Sequence, residues 1–302
     1  MGLSTYALLK NAETKTRVEI EGELLKQMQR ILLEILKDFA RVCDKYGFYY
    51  SLCGGSALGA VRHKGFIPWD DDIDVFMKRS DYMKFLEVFQ KELGDKYHLH
   101  SPETTPELGM PITQLMKNGT VLKSYTNPDC TDSGIYIDIF ILENAPNNKI
   151  LRKLHGLGSL CFGFILSCAR FSQNKERLLD IFQSAGDDVI DAINKKALIG
   201  KFFCFLPLKK WASINAGWNS MCKNENSKYV VCPTGIKHYF HEIFLREEYC
   251  IAEMLPFEDT ELMVIKDYDK ALTRLYGDYM KIPPVEKRET HFCLEIDLGN
   301  NT

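Results

Sequence analysis

Four aspartates fall within five positions of the segment GFIPWDDDIDVFM: Asp70, Asp71, Asp72 and Asp74. Carboxylates a few ångströms apart cannot all stay ionised without a compensating charge. An apolar alternation begins inside the cluster. Ile73, Val75 and Met77 fall on one side of an extended chain, and Asp72, Asp74 and Phe76 on the other. Side chains two apart on a strand share a face, so Asp72 and Asp74 point the same way. Paired hard oxygen donors suit Mg²⁺ or Mn²⁺, which bridge to phosphate oxygens. A solvated acidic loop would carry the same letters, so the pair needs support from elsewhere in the chain.

Three features supply it. Gly54, Gly55 and Ser56 lie between an aromatic-rich strand, FYYSLC (48–53), and a short helix. Backbone N–H groups at such a helix start make an anion site. Asp138 sits inside the apolar run IYIDIFIL, where a lone carboxylate is costly to bury and needs a partner. A metal would serve, as would a lysine or backbone amides. Arg62, His63 and Lys64 place cationic side chains between the glycine turn and the aspartates. Asp70 and Asp71 read as flanking residues that set the turn and the field.

The elements that position these residues follow from periodicity. Apolar residues spaced three and four apart predict one amphipathic helix over 18–46, ended by Gly47. DIDVFM is the second strand, followed by a helix from Ser80 to about Leu93. The segment 97–142 is β-rich, broken by Pro, Gly and Asn. From 149 to 226 the pattern is helical, with apolar runs at 156–168 and 198–208. Short strands at 228–232 and 249–265, a helix at 267–278 and a loop fixed by Pro283 and Pro284 complete the chain. The expected fold class is α+β: a mixed sheet flanked by helices, with a helical insertion. It divides into a catalytic core with its N-terminal helix (1–148), a helical basic segment (149–226) and a C-terminal part that completes the site (227–302).

Composition narrows the function. In 302 residues, 45% are apolar and 26% charged, the mix of a globular protein. The net charge of −3 excludes a general nucleic-acid binder. The charge is uneven: residues 149–211 hold 11 Lys and Arg against 5 Asp and Glu, leaving −9 for the rest. Ten cysteines form no C-x-x-C pair, so there is no zinc signature, and they read as reduced thiols. No signal peptide is visible, and no run reaches the ~18 uncharged residues of a membrane span. The expected location is cytoplasmic, peripheral at the inner face of the cell membrane.

The order of CGGS, DIDV and IDI resembles the nucleotidyltransferase fold of polymerase-β-like enzymes, with its hG[GS], Dh[DE]h and third acidic residue. The segment GGSALGAVRHKGFIPWDDDIDVFMKRSDYMKF is similar to the signature of the LicD family, which includes the fukutin-type proteins. IDIFIL resembles that family's second block, and YGDYMKIPPVEKRETH (276–291) its C-terminal one, with Tyr276, Gly277, Asp278, Tyr279, Pro284, Arg288 and His291 in place. Glu143 and Ile141 depart from the family's aspartate and proline. The resemblance implies a phosphotransferase. It would move a phospho-alcohol, best known as phosphocholine, from a CDP-activated donor such as CDP-choline. The acceptor would be a sugar of a teichoic acid, a lipopolysaccharide or a lipid-linked precursor. Asp72, Asp74 and Asp138 would hold two Mg²⁺ or Mn²⁺ ions. Gly54, Gly55 and Ser56 would hold donor phosphates, and Arg62, His63 and Lys64 would offset pyrophosphate charge. Asp138 is a candidate base, and His291 a second candidate base or phosphate contact. Arg288 belongs to the same substrate-binding set. A quaternary ammonium would seek the faces of Trp69, Tyr276 or Tyr279, which otherwise pack in the core or loops.

Other readings remain at this level. The same metal core would serve a nucleotidyltransferase that transfers NMP and releases pyrophosphate. A glycosyltransferase also uses Asp-x-Asp, and a non-catalytic binder would keep the cleft alone. The middle segment reads either as apolar helices lying in an anionic membrane interface or as a buried helical core with a basic rim.

Overall fold

The computed structural model describes residues 9, 12, 14, 17–125, 132–288 and 290–299. Helix α1 (Gly22–Tyr46) buries a stripe that includes Met28, Leu32, Ile35, Leu36, Phe39 and Val42. It ends at Gly47, whose φ of +69° lets its N–H reach the carbonyls of Asp44 and Cys43. The helix starts later than the periodicity predicts, because Val18 instead bridges to Cys293. Strand β1 (Tyr50–Leu52) leads into α2 (Gly54–His63). The acidic segment leads into β2 (Asp74–Lys78), and α3 (Arg79–Glu92) follows. Then come β3 (Tyr97–His100), β4 (Thr113–Lys117), β5 (Val121–Lys123) and β6 (Tyr136–Ala145).

Four helices form the middle segment: α4 (Lys149–Gln173), α5 (Lys175–Ile181), α6 (Asp187–Lys201) and α7 (Leu208–Asn219). Asn148 caps α4 by accepting the N–H groups of Ile150 and Leu151. By length and composition α4 is the one described helix that could cross a membrane. The sequence reading found only a shorter uncharged run within it, 156–169, because it required an uninterrupted uncharged stretch. The last part holds β7 (Tyr229–Val231), α8 (His238–His241), β8 (Ile243–Leu245), α9 (Arg246–Tyr249), β9 (Ala252–Phe257), β10 (Thr260–Ile265), α10 (Tyr268–Tyr276) and β11 (Glu295–Asp297). The short elements α8, β8, α9 and β11 are too brief to show periodicity.

The main sheet runs β3-β4-β6-β2-β1-β10-β9, and the far end of β6 also pairs with β7, which pairs with β8. Pairs β2–β6 and β1–β10 are parallel and the others antiparallel, so the sheet is mixed as expected. Because β10 lies beside β1, the C-terminal part completes the sheet begun by the N-terminal part. The two faces are covered differently. The α1 stripe packs with Tyr50, Leu52, Val75, Met77, Leu115, Ile137 and Ile139 in one core. Phe76, Leu142, Val230, Phe244, Tyr249 and Ile265 form a second core, with Phe140 packed against it. By strand alternation, Asp74 and Asp138 lie on the side of Phe76 and Phe140, away from α1.

Candidate active site

Asp74 opens β2 and stands in register with Asp138 on the parallel neighbour β6. Adjacent strands lie about 4.8 Å apart, so the register puts both carboxylates side by side on one face. The rings of Phe76 and Phe140, next on that face, meet edge to face at 6.4 Å and wall the site from below. Hydrogen bonds lock the strand start in place. The Asp138 N–H donates to the Ile73 carbonyl (2.9 Å) and the Cys53 N–H to the Asp74 carbonyl (3.0 Å). The Asp74 N–H donates to the Ser56 hydroxyl (2.9 Å).

The N-terminus of α2 closes on this cluster, and no side chain caps it. Gly54 has φ +53°, and a Cβ there would lie 3.2 Å from Asp74 Oδ2. A Cβ on Gly55 would lie 2.9 Å from Asp70 Oδ2. Glycine at both positions lets the carboxylates of Asp74 and Asp70 come close against the positive end of α2.

The C-terminal segment supplies a group that the aspartate motif does not reveal. The His291 N–H donates to Asp71 Oδ2 (2.9 Å), and its Nδ1 lies 2.7 Å from Asp71 Oδ1. Nε2 is then 3.5 Å from Asp72 Oδ2. Ligand atoms of Asp71, Asp72 and His291 all fall within 4.8 Å of one another. Asp71 is only 4% exposed. It is not the loop-flanking residue expected from the sequence but the anchor of a histidine 220 positions away. Gln114, in register with Asp138 on β4, donates from Nε2 to Asp138 Oδ1 (3.0 Å). Sequence reasoning passed over Gln114, because one polar residue in TQLMK carries no pattern.

The other expected residues divide. Arg62 donates from Nη1 to the Tyr279 carbonyl (2.6 Å) and from Nε to His63 Nε2 (2.9 Å). The Tyr276 hydroxyl would lie 3.8 Å from a Cβ on Gly54, with the side chain 47% exposed. Arg288 stacks on the Trp69 ring at 4.1 Å, and His63 meets that ring edge-on at 6.4 Å. The Tyr279 hydroxyl donates to Asp269 (2.7 Å). Three expectations meet a different placement. Ser56 is buried, with its hydroxyl bonded to the β2 backbone rather than open to a donor. Lys64 is exposed at the far end of α2, where its backbone forms the left-handed cap (φ +59°). The face of Trp69 is taken by Arg288.

The electrostatics of the cluster are unbalanced. Burial and the charges of Asp72 and Asp71 push Asp70 up to about 8. Burial, Asp72 and Asp138 hold Asp74 well above the carboxylate range. Burial raises Asp138 to about 7; the Gln114 hydrogen bond opposes the shift and Asp72 adds to it. Asp71 differs: burial would raise it, but hydrogen bonds and charge from His291 outweigh burial and hold it low. Excess negative charge on hard oxygen donors, with the His291 imidazole beside them, fits divalent cations. The consequence for stability has a definite sign. These carboxyls are harder to ionise folded than unfolded, so the unfolded chain loses its protons first as pH rises. Chelator-treated protein should therefore lose thermal stability progressively between about pH 4 and pH 8. Mg²⁺ should restore more stability at pH 8 than at pH 5.5. Melting curves at both values, with and without Mg²⁺, check this; a metal effect equal at the two would contradict it.

A family model described as LicD/FKTN/FKRP, nucleotidyltransferase domain, matches residues 47–153. That span holds α2, Asp72, Asp74 and Asp138. The chain is 31% identical over 284 residues to the lipopolysaccharide cholinephosphotransferase LicD of Haemophilus influenzae, covering 90% of this chain and 97% of that protein. An uncharacterized protein of Rickettsia typhi is 33% identical over 91 residues, covering 30% of this chain and 28% of its own length. One of Rickettsia prowazekii is 35% identical over 57 residues, or 19% and 21%.

Proposed function

The chain belongs to the LicD family, and from that premise we propose that it is a metal-dependent phosphotransferase. It moves a phospho-alcohol, phosphocholine before others, from a CDP-activated donor to a sugar hydroxyl of a bacterial surface glycan. The acceptor is a lipopolysaccharide or teichoic acid precursor, carried on lipid at the inner face of the membrane. The family model's description and the order of the motifs support a polymerase-β-like core. The observation that carries the reading is the Asp74–Asp138 pair, in register and facing the glycine-opened N-terminus of α2.

The residues divide the work. Asp72, Asp74 and Asp138 would hold two Mg²⁺ or Mn²⁺ ions, with Gln114 fixing the rotamer of Asp138. Bound there, the ions supply charge neutralisation on the pyrophosphate and a lowered pKa for the acceptor hydroxyl. The free N–H groups of Gly54 and Gly55 and the α2 dipole receive the donor phosphates. Arg62, tied to Tyr279, adds positive charge on the same side. With Asp71 accepting from Nδ1–H, the His291 ring is fixed with Nε2 3.5 Å from Asp72 Oδ2. Its side chain is 43% exposed, so an acceptor hydroxyl can reach it. We assign the proton transfer to His291 rather than to Asp138, whose carboxylate lies deeper and is bound by Gln114. Of the three aromatics proposed for a quaternary ammonium, Tyr276 is the one whose hydroxyl reaches the acidic cluster while its ring stays half exposed.

The co-product tests the reading. With Mg²⁺, CDP-choline and a lipopolysaccharide or teichoic acid acceptor, CMP should appear in step with phosphocholine on the glycan. Nucleotidyl transfer is the second reading, favoured by the description of the matching family model. Pyrophosphate released from a nucleoside triphosphate, with NMP on the acceptor and no CMP from CDP-choline, would establish it instead.

A further inference from the structure

Helix α4 carries large apolar side chains that no described residue covers. Ile150, Leu154, Leu157 and Phe164 are exposed by 70, 56, 51 and 51%. Their spacing of four, three and seven places them on one face, with exposed Cys161 between the last two. The next position on that face is Cys168, and there α6 crosses: a Cβ on Gly200 would strike the Cys168 carbonyl. Gly200, near the end of α6, thus meets α4 where the stripe stops; Phe202, two residues on, and Phe205, whose ring meets Trp211 at 5.7 Å, are 75% and 72% exposed.

The charges around this surface are sorted. Lys149 and Lys153 border the α4 stripe; Lys201, Lys209 and Lys210 border the phenylalanines, and all five are exposed. The acidic residues Asp187, Asp188 and Asp191 sit at the opposite end of α6, and Asp191 is paired with Lys195. The other flank of α4 is committed to protein. His155 bonds to the Tyr239 hydroxyl (2.9 Å) and the Trp218 carbonyl (2.8 Å), and Gly156 lies against Tyr239 and Phe240. A helix so anchored along one side lies on a surface rather than crossing it.

We propose that this face seats the protein on an anionic phospholipid bilayer, with the α4 stripe, Phe202 and Phe205 in the acyl boundary and the lysines at the headgroups. A second copy of the chain is the poorer occupant. A two-fold contact through this face would set its lysine rim against an identical rim, whereas a bilayer of negative lipid complements it. The inference does not depend on which group is transferred, since lipid binding and transfer are read separately.

Flotation with vesicles tests it. Wild-type protein should float with phosphatidylcholine vesicles containing phosphatidylglycerol, at low salt, and much less with phosphatidylcholine alone. The variant Leu154→Ser/Leu157→Ser/Phe202→Ser and the variant Lys201→Glu/Lys209→Glu/Lys210→Glu should each bind at least about tenfold more weakly. Both should keep the wild-type melting curve and the wild-type CMP release with a soluble acceptor. Equal flotation of wild type and both variants would overturn the proposal. So would failure of the wild type to float, whether it is monomeric or a dimer that the serine variant dissociates in light scattering.

Discussion

Asp74→Asn should yield a folded protein that no longer transfers the phospho-alcohol. The loss should be at least about a hundredfold in CMP release, the scale of removing one preorganised electrostatic contact. Fold should survive, because asparagine keeps the shape and the Asp74 N–H still reaches Ser56. In metal-free protein near pH 8 the variant should melt no lower than wild type, since one buried like charge is gone. Lost activity with equal or higher stability separates a site residue from a structural one. Residual turnover above about a few per cent, or a melting point well below wild type, would count against Asp74 as a ligand.

His291→Ala should lower turnover by about 10²–10⁴, the usual contribution of a positioned acid or base. Asp71→Asn tests how that histidine is held. Asparagine can turn its amide NH₂ toward Nδ1, so the ring proton moves to Nε2 and the lone pair leaves the site. The cost should be about 10–100-fold in kcat, with donor KM nearly unchanged. The pH dependence of kcat should change as well. A large increase in donor KM with kcat intact would instead make His291 a phosphate contact. A simple structural role for Asp71 would lower the melting point and leave the pH profile as it is.

The sequence carried the parts of this site that depend on local periodicity. Ile73, Val75 and Met77, all fully buried, set Asp74 on the opposite face, but the strand begins only at Asp74, and Asp72 lies before it beside Asp71 and His291. Asp138 stood out as one charge in an apolar strand. Its register with Asp74 is a property of the sheet, and no single strand encodes it. In the letters Asp70, Asp71 and Asp72 are equivalent. They part company only when the C-terminal segment delivers His291 to Asp71 and α2 brings Gly55 against Asp70. Ser56 looked like part of a phosphate cradle because GGS is a turn pattern, but its partner is the backbone of a strand 18 positions on. The middle segment was legible as helices. Which flank of α4 faced protein was not, since Leu154, Leu157 and buried Leu166 read alike in sequence.

The central claim is that the carboxylate face of Asp72, Asp74 and Asp138 holds divalent metal against a donor at the α2 N-terminus. Mn²⁺ titration followed by electron paramagnetic resonance, with and without CDP-choline, tests it most directly. Wild type should bind Mn²⁺ and bind it more tightly when CDP-choline is present, while Asp74→Asn and Asp138→Asn should each weaken binding by at least about tenfold. Mn²⁺ affinity unchanged in both variants and indifferent to CDP-choline would contradict the account.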